Sequence, residues 1–207
     1  GFRLSVKWED IQQATSARIT CRNNRWHVSF TTPPRPKREA GRGVVGIDRG
    51  VAVTAMTSDG QKFQAPKAEK QQARYEKLQR VLNTKTKGSK TRKKLLDKMA
   101  DTRFKAGNQR KDWLEKTTTT LAEAYDIVVL EDLKVKDMTK RATTKQDEQG
   151  KYLPNGQAAK RGLNRAILGS AWGGLKTRLA DKTTVVPCPP AYTSQRCSAC
   201  GHTALEL

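Results

Sequence analysis

What the chain lacks narrows its class first. No apolar run approaches the roughly 18 residues of a membrane-spanning helix; the longest candidate, Ala124 to Leu130, is broken by Tyr125 and Asp126, which excludes such a span. Cysteine is too scarce for a disulfide framework: of four, Cys21 stands alone while Cys188, Cys197 and Cys200 fall within the last 20 residues, so reduced thiols are expected. The opening Gly1-Phe2-Arg3-Leu4 has neither an initiator Met nor an apolar leader, so we expect a trimmed or excerpted, cytoplasmic chain. Apolar residues make up only 35% and mean hydropathy is −0.78, so any core is lean, though richer than a disordered chain would have. Acids are few as well, 20 against 41 Lys and Arg, leaving a net charge of +21 across 207 residues. A fold so charged repels itself unless a polyanion neutralises it, and nucleic acid is the first partner to expect.

What is present falls into distinct stretches. Ala17 to Phe30 alternates β-branched and aromatic residues around Arg22-Asn23-Asn24, which predicts a hairpin, and the Pro-rich basic run Thr32 to Arg38 reads as a linker. Val44–Asp48, Val51–Thr57 and Gln61–Gln64 read as three consecutive antiparallel strands. From Pro66 to Lys116 the spacing is helical with a break near Asn83 to Ser89, predicting a hairpin of two helices. That stretch carries 12 Lys and 5 Arg against 6 acids. The second helix is expected to run on to Ala124, and Asp126–Glu131 to form a buried strand that ends in acids. Lys134 to Gly162 is polar and aperiodic and predicts a mobile loop; Leu163 to Lys182 predicts one helix, and Thr184–Cys188 a final strand. No internal repeat occurs.

Two acids invite a chemical reading. Asp48 closes an apolar strand in Val45-Gly46-Ile47-Asp48-Arg49-Gly50, and Glu131 closes another. An Asp before a glycine turn is commonly a turn cap, and Asp132 could cap equally well. If the two strands are neighbours, however, Asp48 and Glu131 project at one rim, and hard carboxylates there suit Mg²⁺ or Mn²⁺ and phosphodiester cleavage. Spacing alone leaves these two readings even. In the tail, Cys197-Ser198-Ala199-Cys200-Gly201 makes a metal knuckle with two ligands; Cys188 and His202 could complete it, yet His202 suits a surface position, and Cys188 and Cys21 suit burial in or near strands. Trp26, Trp113 and Trp172 are spaced as core residues. The basic hairpin could be a solvated face, but one so rich in a single sign favours phosphate contacts.

In order, Gly46-Ile47-Asp48-Arg49-Gly50, Arg110-Lys111-Asp112-Trp113, Ile127-Val128-Val129-Leu130-Glu131-Asp132-Leu133-Lys134-Val135, Leu163-Asn164-Arg165-Ala166-Ile167-Leu168 and Thr193-Ser194-Gln195-x-Cys197-Ser198-x-Cys200-Gly201 closely resemble the RuvC-like half of TnpB, the transposon-encoded RNA-guided nuclease, and the compact type V CRISPR effectors. The resemblance covers roughly Val44 to His202. It implies an α/β fold in which an RNase H-like (RuvC) mixed sheet over 39–189 carries an inserted helical hairpin at 66–124. A β-rich wedge fragment at 1–38 would precede it, and a partial zinc-ribbon knuckle at 190–207 would follow. It further implies that Asp48 and Glu131 are catalytic and bind Mg²⁺ or Mn²⁺, that Cys197 and Cys200 bind Zn²⁺, and that Arg92, Lys93, Lys94, Arg110, Lys111, Lys134 and Arg165 contact nucleic acid. Guide RNA and target DNA would be the partners, in a prokaryotic cytoplasm at the nucleoid. The family's third acid lies beyond a second cysteine pair, and none of Asp132, Asp137, Asp147, Glu148, Asp181 or Glu206 stands at that position; the link from Leu179 to Thr184 is also short for the family, so missing segments are expected. Two other readings remain: a guided DNA binder with a weak or dead nuclease site, and a basic zinc-knuckle RNA-binding protein.

Overall fold

A computed structural model describes residues 7–22, 25–33, 39 and 41–190. The chain divides into two compact units, Gly1–Arg38 with Ala68–Gly107, and Glu39–Lys67 with Asn108–Leu207. In chain order the elements are α1 (Trp8–Gln12), β1 (Ser16–Arg22), β2 (Arg25–Thr31), β3 (Val44–Asp48), β4 (Ala55–Thr57), β5 (Lys62–Phe63), α2 (Glu69–Asn83), α3 (Lys90–Ala124), β6 (Ile127–Glu131), α4 (Val135–Met138), β7 (Lys145–Gln146), β8 (Tyr152–Leu153), α5 (Gln157–Gly169), α6 (Trp172–Ala180) and β9 (Thr184–Cys188). Among the described residues no helix is long and apolar enough to cross a membrane.

In the first unit β1 and β2 pair antiparallel from Ser16↔Thr31 to Arg22↔Arg25, as the alternation predicts. Strand alternation puts Arg25 and His27 on one face. Arg25 reaches Asp101 of α3 at 3.1 Å and lies 4.6 Å over the Phe104 ring, against which His27 also packs. The opposite face carries Ile19, Cys21 and Trp26, all exposed, so Trp26 is not the core residue its spacing suggests and Cys21 is not buried. The helical hairpin forms with its break at Thr84 to Ser89, and Arg103 stacks 4.4 Å over Tyr75, pinning α3 to α2.

The second unit holds a five-stranded mixed sheet in the order β5-β4-β3-β6-β9. β5, β4 and β3 run antiparallel in succession, whereas β6 is parallel to β3 and β9 parallel to β6. Val45 and Ile47 of β3 and Val128 and Leu130 of β6 point to one buried face, where they pack with Ala55, with Leu114 and Leu121 of α3, and with Leu175 and Leu179 of α6. The spacing of seven on α3 and four on α6 lines each helix's apolar stripe onto that face. Close packing at the entrance to β3 requires a glycine: a Cβ at Gly41 would run into the backbone carbonyls of Glu123 and Ala124, and the Gly41 N–H instead donates to the Ala122 carbonyl at 3.0 Å.

Three sequence expectations change. Val51–Thr54 is not strand, because the Gly50 N–H folds back onto the Val53 carbonyl and the buried Thr54 hydroxyl accepts from the Ala65 N–H; only Ala55–Thr57 pairs. Lys134 to Gly162 carries α4, the short β7–β8 hairpin and the start of α5 in place of a structureless loop. The helix expected from Leu163 to Lys182 is two helices, split at Ala171, whose positive φ of 58° ends α5 and starts α6 in a new direction.

Candidate active site

The parallel pairing of β3 with β6 is what creates a site. Its last register pair is Ile47↔Leu130, so Asp48 and Glu131 come one step later on neighbouring strands. Because side chains alternate, both point away from the face that buries Ile47 and Leu130. Neighbouring strands run about 5 Å apart, which sets the two carboxylate-bearing backbones side by side at the carboxyl rim. Asp48 is exposed and Glu131 half-buried. On its other side Glu131 pairs with Cys188 of β9.

Arg49, directly after β3, is buried and only 5% exposed. One of its Nη atoms donates to the Glu131 carbonyl, and its Nε finds no hydrogen-bond partner among the described residues. Burial pushes its pKa down, and the neighbouring charges of Glu131, Asp132, Cys188 and Asp48 push the other way. Asp132 is occupied elsewhere: Lys176 of α6 bonds its carboxylate at 2.7 Å and holds its pKa below the usual range, while its N–H donates to the Cys188 carbonyl at 2.8 Å. From the same helix Trp172 donates through Nε1 to the Gly50 carbonyl at 3.3 Å. Thus α6 holds the rim at the turn after β3 and at the end of β6, and Arg49 joins the two strands between those points. Trp172 is buried, as its spacing predicts, and Trp113 packs against the core.

The basic residues have separate fates. Lys93, Lys94 and Lys111 on α3, Lys134 before α4 and Arg165 on α5 are exposed, and Arg110 is half-buried. Arg92 is committed to the helical hairpin, donating to the Leu82 carbonyl at 2.8 Å and the Lys85 carbonyl at 3.3 Å. Cys197, Cys200 and His202 lie outside the described residues. Among the described residues no group of three or more His, Cys, Asp or Glu gathers where it could hold a metal ion. Sequence reasoning passed over Arg49, Trp172 and Lys176; the signal available for Arg49 was an arginine at an inward-facing position directly after Ile47-Asp48.

Residues 27–142, more than half of the chain, match the OrfB_IS605 family, described as "Probable transposase". This chain belongs to that TnpB-like family. The OrfB_IS605 match contains both Asp48 and Glu131. The chain is 37% identical over 194 residues to the Escherichia coli (strain K12) protein named "Putative RNA-guided DNA endonuclease InsQ", covering 88% of this chain and 46% of that one. It is 32% identical over 189 residues to a Streptomyces pristinaespiralis protein named "Putative RNA-guided DNA endonuclease", covering 86% and 42%. The chain therefore spans less than half the length of these curated relatives. A solved structure titled as a Cas12f1-sgRNA-target DNA complex aligns over 89% of this chain and 45% of that one at 14% identity and a TM-score of 0.36, a loose likeness.

Proposed function

We propose that this OrfB_IS605 chain carries the RuvC-type nuclease core of an RNA-guided DNA endonuclease, with Asp48 and Glu131 as catalytic carboxylates. The observation that carries the reading is the placement of those two acids on one face at the ends of adjacent parallel strands. The strand order β5-β4-β3-β6-β9, with two antiparallel pairings followed by two parallel ones, supports an RNase H-like architecture. The names of the relatives support guide RNA and target DNA as partners, and the exposed Lys93, Lys94, Arg165, Lys111 and Lys134, with Arg110, would meet their phosphates.

Two hard carboxylates on one face fit Mg²⁺ or Mn²⁺, which take one or two protein carboxylates and complete their shells with water and substrate phosphate. Asp48 and Glu131 would hold the ion, which when bound would activate a water and steady the leaving oxygen of a phosphodiester. The chain's own part is geometric: Trp172 and Lys176 fix the rim from α6, and the packed face of β3 and β6 keeps the two acids in register. Cys197 and Cys200 would hold structural Zn²⁺.

The test compares the full-length protein with its Asp48→Ala variant, both loaded with guide, for Mg²⁺-dependent cleavage and for binding of a matched DNA target in one buffer. Loss of cleavage with binding retained is expected, since Asp48 would touch the ion and leave the heteroduplex alone. Equal cleavage by both would return Asp48 to a turn cap. Guided binding with no cleavage by the unaltered protein would favour a guided binder with a dead site.

A further inference from the structure

Past Glu131 the chain leaves the sheet at the candidate rim and rejoins it only at β9. The excursion between is basic: residues 134–165 carry nine Lys and Arg against three acids. Two of those acids are engaged locally. Asp137 pairs with Lys140 at 2.7 Å, and the Asp147 carboxylate, in the turn between β7 and β8, accepts the Gln149 and Lys151 N–H groups at 3.1 and 2.8 Å. Asn164 of α5 ties the stem of the excursion, donating to the Thr139 and Lys140 carbonyls at 2.7 and 3.2 Å. Lys140 follows Glu131 by nine residues, which puts the stem within about 30 Å of the rim even were that link fully extended, and the turn of α4 shortens it.

The hairpin beyond this stem buries none of its strand residues: Lys145 and Gln146 of β7 are exposed, as are Tyr152 and Leu153 of β8, by 70% and 45%. Its own turn and the ladder Lys145↔Leu153, Gln146↔Tyr152 hold it, so the fold does not call on the Tyr152 ring for packing. A lone exposed tyrosine is ordinary on a protein surface. This one stands on a preformed hairpin amid positive charge, and an aromatic face beside cations is what binds single-stranded nucleic acid, whose unstacked bases a duplex does not offer. Because the arm is rooted at the rim, the strand it meets is the one to be cut.

We propose that the β7–β8 hairpin is a single-stranded-DNA arm in which Tyr152 stacks on a base and Lys145 and Lys151 meet the adjoining phosphates, delivering the strand to the Asp48–Glu131 rim. The delivery role rests on the reading of that rim as the cleavage site; the strand-binding role does not.

The experiment measures binding of fluorescein-labelled oligothymidine, which the guide is chosen not to match, to the guide-loaded full-length protein by anisotropy in EDTA, and separately the Mg²⁺-dependent cleavage of a matched DNA target. Tyr152→Ala should weaken oligothymidine binding about tenfold, and Tyr152→Phe, which keeps the ring, should stay within about twofold of the parent. Lys145→Gln with Lys151→Gln should lower the salt slope of that binding by about 1.4. Cleavage should slow in Tyr152→Ala by a factor similar to the loss in strand binding, with guided binding of the target duplex unchanged. Oligothymidine binding by Tyr152→Ala equal to the parent's overturns the proposal, as does an equal loss in Tyr152→Phe. A defect of Tyr152→Ala confined to guide RNA loading overturns it too, and makes the arm an RNA contact. Weakened strand binding with undiminished cleavage overturns the delivery role. Tyr152-dependent strand binding by a parent that never cuts supports the arm and sinks the nuclease reading, which keeps the two failures apart.

Discussion

Arg92 caps Leu82: from the first turn of α3 its guanidinium donates at 2.8 Å to the carbonyl in the last turn of α2, which also accepts from the Lys85 N–H at 3.1 Å. Its neighbours Lys93 and Lys94 have no such duty and stand exposed. Arg92→Gln should therefore lower stability by about 1 kcal/mol, read as a lower urea midpoint. The pair Lys93→Gln and Lys94→Gln should leave that midpoint in place and reduce the salt slope of nucleic-acid binding by about two. An unchanged slope would make those lysines a solvated face.

Gly41→Ala should be among the more damaging small substitutions. Its Cβ would meet backbone at the end of α3, which cannot swing aside as a side chain would. We expect a loss of about 2 kcal/mol, seen as a lower thermal midpoint.

Leu130→Ala should cost about 2–5 kcal/mol, because Leu130 is fully buried where the sheet meets α3 and α6. Leu168→Ala, at a position 60% exposed, should stay within about 0.5 kcal/mol. Equal effects of the two in urea unfolding would contradict the core described above.

Glu115 gives the second unit an acid-sensitive joint. Its hydrogen bonds from Arg178, and then from Lys182, hold its pKa down to about 2 from 4.5, against the opposing effect of burial. A depressed carboxylate stabilises the fold above its unfolded value and loses that contribution as pH falls. Stability should thus decline from about pH 4.5 toward pH 2, and Glu115→Gln should flatten that part of the curve. Thermal midpoints across that range check it.

The sheet and the helical hairpin were legible because their signals are local. Alternation in Arg18-Ile19-Thr20-Cys21, the apolar runs ending at Asp48 and Glu131, and the break before Lys90 each carry their own period. The split at Ala171 was not legible: no Pro or Gly sits at the turn itself, and a tertiary contact, Trp172 on the Gly50 carbonyl, accompanies the bend. The shortening of β4 has a similar origin, since Val51 and Val53 have strand propensity but the close approach of Gly50 to Val53 folds that stretch into a turn. At the rim, Asp48 and Glu131 could be named from strand ends and a family resemblance. Arg49 left a fainter signal, because its burial depends on β6 lying beside it.

The parallel pairing of β3 with β6 also sets an order of events during synthesis. Gly43, at the start of β3, and Asp126, whose carboxylate accepts its N–H, are 83 residues apart in sequence. At translation speeds of about 5–20 residues per second, β3 waits roughly 4–17 s on the ribosome before β6 exists to pair with it. The β1–β2 hairpin and the α2–α3 turn need only nearby partners and can form within that interval. The centre of the sheet therefore closes after those local contacts, with α6 and β9 joining it later still, and until β6 emerges the β6-facing edge of β3 is open to mispairing.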